Sequence, residues 1–185
     1  VRLSWADYLV KYFDPRVQTA WFRPLHGILF KLDNDLFGTN AQNYHLANIV
    51  FHLVNCLLIF AILRRVTSNE RLAFVAAIVF ATLPTASQSI FWPGVIDSLV
   101  TLFCLLAIWF WVGYLVDCKP LLYGVTVLIF ILAMMTKEIS VSLPVILFLV
   151  DRFVVAKHAS WAQLVRRYVP FVFVWLVYLP LEFYI

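Results

Sequence analysis

The sequence predicts an all-α protein, a polytopic transmembrane helix bundle of about six spans with an N-terminal interfacial or extramembrane segment. Three observations predict it. Of 185 residues, 64% are hydrophobic and 13% charged, and the mean hydropathy is +0.91. An ordinary soluble domain is about half apolar and about a quarter charged. Past residue 43, apolar runs follow one another with brief loops between them, and a spanning helix needs ~20 mostly apolar residues. The basic residues, finally, are concentrated in alternate loops, as the orientation rule for membrane proteins requires.

The elements follow in order. Residues 1–42 form the N-terminal segment; the first 40 hold nine charges with Pro15, Pro24, Gly27 and Gly38, too polar to span. One or two short amphipathic helices are expected there. In "LSWADYLVKYF", Leu3, Asp7, Val10 and Lys11 share helical spacing while Trp5, Tyr8, Leu9 and Tyr12 offer aromatic contacts. Residues 43–185 form the bundle, with candidate spans at 43–63, 72–91, 97–116, 121–136, 139–156 and 168–185. The fourth is short and takes in a flanking Lys if it extends. The loop "AKHASWAQLVRR" reads as an amphipathic surface helix. Val1 opens the chain without Met, and "WLVYLPLEFYI" stops inside an apolar run, so a piece of a longer protein is expected.

Orientation comes from charge. The loops at 64–71, 117–120 and 151–167 carry Arg64, Arg65, Arg71, Lys119, Arg152, Lys157, Arg166 and Arg167. The alternate loops carry only Lys137, so they face outward, with residues 1–40 on their side. The net charge of +4 is therefore orientational and calls for no nucleic acid. Cys56, Cys104 and Cys118 form no close pair and no metal-ligand spacing, and read as packing residues. No metal site, glycine-rich phosphate loop or nucleophile elbow is present, and no cofactor is implied.

Three signals carry candidate chemistry. His45, Asn48, His52 and Asn55 step by three, four and three residues along one helical face. Such a stripe either bonds helices together or lines a hydrophilic cavity. Asp97, Lys137 and Glu138 lie at the outer ends of spans, where short loops bring them to one depth; they are helix-end anchors or an anion site. Arg23, before Pro24 in "TAWFRPLHGILFKL", is either a snorkelling interfacial cation or a bidentate ligand for phosphate or carboxylate.

The ordered pieces "WFRPL", "NYHLANIVFHLVNCLLIF", "LPTASQSIFWPGVIDSL" and "MMTKEISVSLPVILFLVD", over residues 19–152, resemble the polytopic GT-C glycosyltransferases. They are similar to the protein O-mannosyltransferases, and most of all to the group that joins transmembrane spans to tetratricopeptide repeats. That resemblance implies transfer of a sugar from a polyprenyl-phosphate carrier, on the non-cytoplasmic face, to a protein or glycan acceptor. It implies a multi-pass protein of the bacterial inner or plasma membrane, or of the eukaryotic endoplasmic reticulum. It gives Arg23 and Lys137 cationic roles near the carrier phosphate, and Asp97 and Glu138 roles in orienting them or touching sugar. Gln88 and Trp92 would line the substrate cavity. The catalytic acid pair would precede Val1; Asp7 and Asp14 are the acidic residues left in that region, and neither is assigned as the base. The sequence departs from the family pattern at Leu83 (for His), Gln88 (for Glu) and Val95 (for Arg). A transporter, an assembly subunit or a degenerate transferase is the alternative reading.

Overall fold

The computed structural model describes residues 4–14, 21–38, 40–84, 88, 92, 96–155 and 160–184, and among these every regular element is helical. Helix α1 (Trp5–Phe13) begins at Ser4, whose Oγ accepts from the Asp7 amide. Helix α2 (Pro24–Phe37) opens on a proline, which has no amide hydrogen to leave unpaired at a helix start. Tyr12 stacks on Tyr8 at 4.5 Å, and the Tyr8 hydroxyl donates to the Gly27 carbonyl at 3.2 Å. Lys31 Nζ lies 4.7 Å from the Trp5 ring centre and pairs with Asp35, so a cation on α2 sits against the aromatic face of α1.

Helix α3 (Ala41–Thr67) is capped by Asn40, whose side chain accepts from the Gln42 amide. Its last turn holds Arg64 and Arg65, which favour the negative end of the helix dipole. The chain reverses at Ser68 (φ 54) into α4 (Glu70–Thr82), capped by Asn69. Helix α5 (Asp97–Asp117) reverses through Cys118 (φ 55) into α6 (Pro120–Met134). A 3₁₀ turn (Glu138–Ser142), α7 (Leu143–Leu149) and a π turn (Val150–Val155) follow, and α8 (Trp161–Tyr184) closes the chain. Helix α5 packs between α3 and α6, and α4 packs on α3. The core gathers around Trp111, whose indole meets Tyr114, Tyr123, Tyr168 and Phe171 at 5.4–6.0 Å between ring centres. Phe130, Leu143 and Leu147 complete it, fully buried.

The expected six spans are not all continuous helices. Among the described residues, three helices are long and apolar enough to cross a membrane: Ala41–Thr67, Asp97–Asp117 and Trp161–Phe183. Within the run 72–91, α4 ends at Thr82, because Pro84 pushes Leu83 to extended backbone (ψ 126), and of the described residues beyond it Pro84 and Gln88 are helical again. The fourth run is the 15-residue α6, about 22 Å long against ~30 Å of hydrocarbon. The fifth run, 139–156, is broken. Ser140 and Ser142 hydroxyls bond back to the Lys137 and Ile139 carbonyls, and Pro144 follows, so the chain enters through a 3₁₀ turn. It leaves through a π turn that carries Asp151, wholly buried, onto Arg167 at 2.9 Å. The surface helix expected over 156–167 is not separate, since 161–167 are the first turns of α8.

Candidate functional site

One end of the bundle collects an ionic rim. The start of α2 is tied to the end of α6 by the Leu25 amide on the Met135 carbonyl at 3.0 Å. This brings Arg23 to Glu138: Nε and Nη2 both reach Oε2, at 2.8 and 2.6 Å. The neighbouring Lys137 pairs with Asp97 at the first turn of α5. Arg23 also lies 5.2 Å from the Trp21 ring centre. Asp97, Lys137 and Glu138, expected from sequence at one depth, thus meet Arg23 in two partly exposed ion pairs whose Lys137 and Glu138 are neighbours in the chain.

The far end of α8 supports this rim. The Tyr178 hydroxyl donates to the Phe22 carbonyl and Glu182 Oε2 accepts from the Phe22 amide at 3.1 Å, so both backbone groups just ahead of Arg23 are held. Glu182 Oε1 is buried with no hydrogen-bond partner. The sequence reading missed Tyr178 and Glu182. The signal for Glu182 was available: a lone carboxylate in the last apolar run is costly in lipid and marks a polar neighbour. His26, one turn into α2, was also missed. Burial, then the Arg23 guanidinium and the Lys137 ammonium, hold its imidazole below the ordinary histidine range. Burial raises the Asp33 carboxyl on the same helix.

Two residues of the polar stripe on α3 bond helices together, and a third touches a small, largely apolar cavity. Asn55 Nδ2 donates to the Ser98 carbonyl at 2.8 Å, one residue from Asp97, and His52 Nε2 meets the Ala81 carbonyl at 3.3 Å while stacking on Phe80. Those two bind helices together. Asn48 lines a narrow cavity of about 70 Å³ with His26, Asp33, Tyr44, Ile96 and Leu99. His45 is half-buried on the first turns of the same helix.

Gln88 and Trp92 are exposed, and the Trp92 amide donates to the Gln88 carbonyl at 3.2 Å. No described side-chain contact joins them to the rim. Val95 lies outside the described residues. Asp7 lies in the first turn of α1, where it accepts from the Ser4 hydroxyl, and Asp14 is the C-cap of the same helix. Among the described residues no group of three or more His, Cys, Asp and Glu side chains is placed to hold a metal ion.

An apolar pocket of about 440 Å³ opens beside the rim, lined by Phe13, Phe22, Met134, Phe173, Val177, Tyr178 and Leu181 among others. None of the four ion-paired residues lines this pocket, but Phe22, next to Arg23 in sequence, and Tyr178, bonded to the Phe22 carbonyl, do. The arrangement sets two ion-paired cations next to an apolar surface.

Comparison with known proteins bears on what such a site serves. The human protein O-mannosyl-transferase TMTC1 is 34% identical over 94 residues, half of this chain and 10% of that protein. The mouse protein of the same name is 30% identical over 117 residues, 60% of this chain and 12% of its own length. The chain thus spans about a tenth of the curated relatives it matches. No solved structure matches. The family model described as dolichyl-phosphate-mannose-protein mannosyltransferase matches residues 22–182, from the residue gripped by α8 to the carboxylate that grips it. Ionic rim, helical bundle and this match over most of the sequence lead to one assignment: the chain belongs to the dolichyl-phosphate-mannose-protein mannosyltransferase family of membrane glycosyltransferases.

Proposed function

We propose that this chain forms the carrier-phosphate end of a membrane glycosyltransferase, taking mannose from a polyprenyl-phosphate carrier to a protein hydroxyl on the non-cytoplasmic face. The observation that carries the reading is adjacency. Phe22 and Met135, one residue before Arg23 and two before Lys137, line an apolar pocket of a size to take isoprenoid chain, and the ion pairs Arg23–Glu138 and Lys137–Asp97 lie next to it. The donor chemistry follows the family name and the acceptor follows the relatives' names.

In the reaction, an acceptor oxygen forms a bond to the anomeric carbon as the bond from that carbon to the carrier phosphate breaks. The acceptor proton passes to a carboxylate base, and the electron pair leaves with the phosphate. Arg23 and Lys137 stabilise the charge gathering on that leaving group. Their carboxylate partners keep the cations aimed at the rim before the carrier arrives, and Tyr178 and Glu182 fix the backbone that presents Arg23. The basic residues support the outward orientation. Arg65 pairs with Asp117 at the opposite end of α5 from Asp97, about 30 Å away.

The test is sugar transfer by the full-length protein from a polyprenyl-phosphate-linked mannose. Arg23→Ala or Lys137→Ala should each lower turnover by about 10²–10³-fold, the usual loss for one electrostatic stabiliser. Unchanged transfer in both variants would overturn the assignment. A second reading is a degenerate transferase that holds the carrier without turnover, favoured by Gln88 where the family pattern has an acid. It predicts Arg23-dependent carrier binding with no product from the native protein.

A further inference from the structure

The opposite end of the bundle holds a second pocket that sugar transfer does not use. It opens where α5 ends, α6 begins and α8 takes its first turns, with a volume of about 410 Å³. Tyr114, Pro120, Tyr123, Gln163, Arg166 and Arg167 line it. We propose that this pocket seats the phosphate of an anionic membrane lipid, bound through Arg166 with Arg167 behind it.

The two arginines differ in what they have left to give. Arg167 is committed: Nη1 reaches both oxygens of the buried Asp151 at 2.9 Å, and its guanidinium lies 5.7 Å from the Tyr114 ring. Its carbonyl accepts from the Tyr123 hydroxyl at 3.0 Å, which fixes the pocket wall. Arg166 lines the pocket, is exposed and has no ion-pair or hydrogen-bond partner among the described residues, so its five donors are unspent. At the start of α8, Ser160 and Gln163 exchange backbone-to-side-chain hydrogen bonds, which ties down two of its amides. The attraction for an anion therefore comes from guanidinium charge, in the planar fork that matches a phosphate.

The surroundings select a lipid over a soluble phosphate. Leu121, Trp161 and Val165, beside the lining residues in sequence, are 75%, 68% and 65% exposed. Both α5 and α8 are of spanning length and composition. An exposed tryptophan five residues before an exposed arginine, on a helix with exposed aliphatic residues, is the composition of the hydrocarbon–headgroup boundary, where basic pockets between helices hold anionic headgroups.

The experiment uses the full-length protein in detergent, with retention of added phosphatidic acid read by native mass spectrometry against phosphatidylcholine. Arg166→Gln should lower phosphatidic acid retention about fivefold, and phosphatidylcholine retention should not move. Arg71→Gln removes an equal charge from the start of α4 outside the pocket, and should leave retention unchanged. Arg166→Lys should keep part of the binding, and the melting temperature of each variant reports folding. Equal losses in Arg166→Gln and Arg71→Gln would reveal diffuse charge rather than a seat, and no loss in Arg166→Gln would remove its central residue. Displacement of the lipid by glycerol 3-phosphate at matched concentration would show that the occupant is a free phosphate ester, overturning the lipid.

Discussion

Gly27 decides how closely α1 lies on α2. A Cβ built there would come within 2.1 Å of the Tyr12 ring, so any larger residue must drive that ring off Tyr8. Gly27→Ala should release α1 while leaving the bundle folded, at a cost of ~1–3 kcal/mol at the contact. Faster amide hydrogen exchange over residues 5–13, with little change over 97–134, is the expected readout. His26 gives a pH prediction at the same scale. Its folded pKa is depressed, by burial first and by Arg23 and Lys137 next, so the unfolded chain binds the proton more readily. Stability should rise with pH and fall as pH drops below about 6.5, the ordinary histidine value. Asp33, which lines the same narrow cavity, has its carboxyl raised by burial. A melting series between pH 5 and 7.5 should flatten in His26→Gln; an unaltered slope would exclude His26 as its source.

Among the elements, the segment after α6 behaves least like its sequence. Its apolar run is long enough for one helix, yet Asp151 sits in the run and has to reach Arg167 across the turn. Removing Arg167 leaves a wholly buried carboxylate unpaired, so Arg167→Ala should destabilise by ~3–5 kcal/mol. Asp151→Asn together with Arg167→Gln should recover much of that, as melting in detergent can show. Hydropathy located α3 and α5 because their apolar windows are long and uninterrupted. The breaks at Leu83 and Glu138–Ser142 depend on single prolines and serine hydroxyls, which a window average erases. The meeting of Arg23, Asp97, Lys137 and Glu138 was legible because charge at span ends is sparse and loop lengths fix its depth. Tyr178 and Glu182 escaped because their partner is the backbone of Phe22, some 160 residues away, and backbone carries no sequence signal.

For the molecule as a whole, the two ends differ in charge in a way that labelling can test. Cys118 is exposed at the end that holds Arg65 and Lys119. A membrane-impermeant maleimide should modify it only after permeabilisation, whereas a cysteine placed at Trp92 should react in intact cells or right-side-out vesicles. The reverse pattern would invert the orientation and remove the outer-face site. Cys56 and Cys104 are half-buried and serve as internal controls of slow reaction.

Helix α8 anchors at both ends: Arg167 holds Asp151 near its start, and Tyr178 with Glu182 holds Phe22 near its finish. It is one rod of 24 residues, interrupted in its hydrogen bonding at Pro170 and Pro180. If both proposals hold, this one helix joins the lipid seat at Arg166 to the peptide preceding Arg23, so a change at either seat is felt by an element that the other also uses.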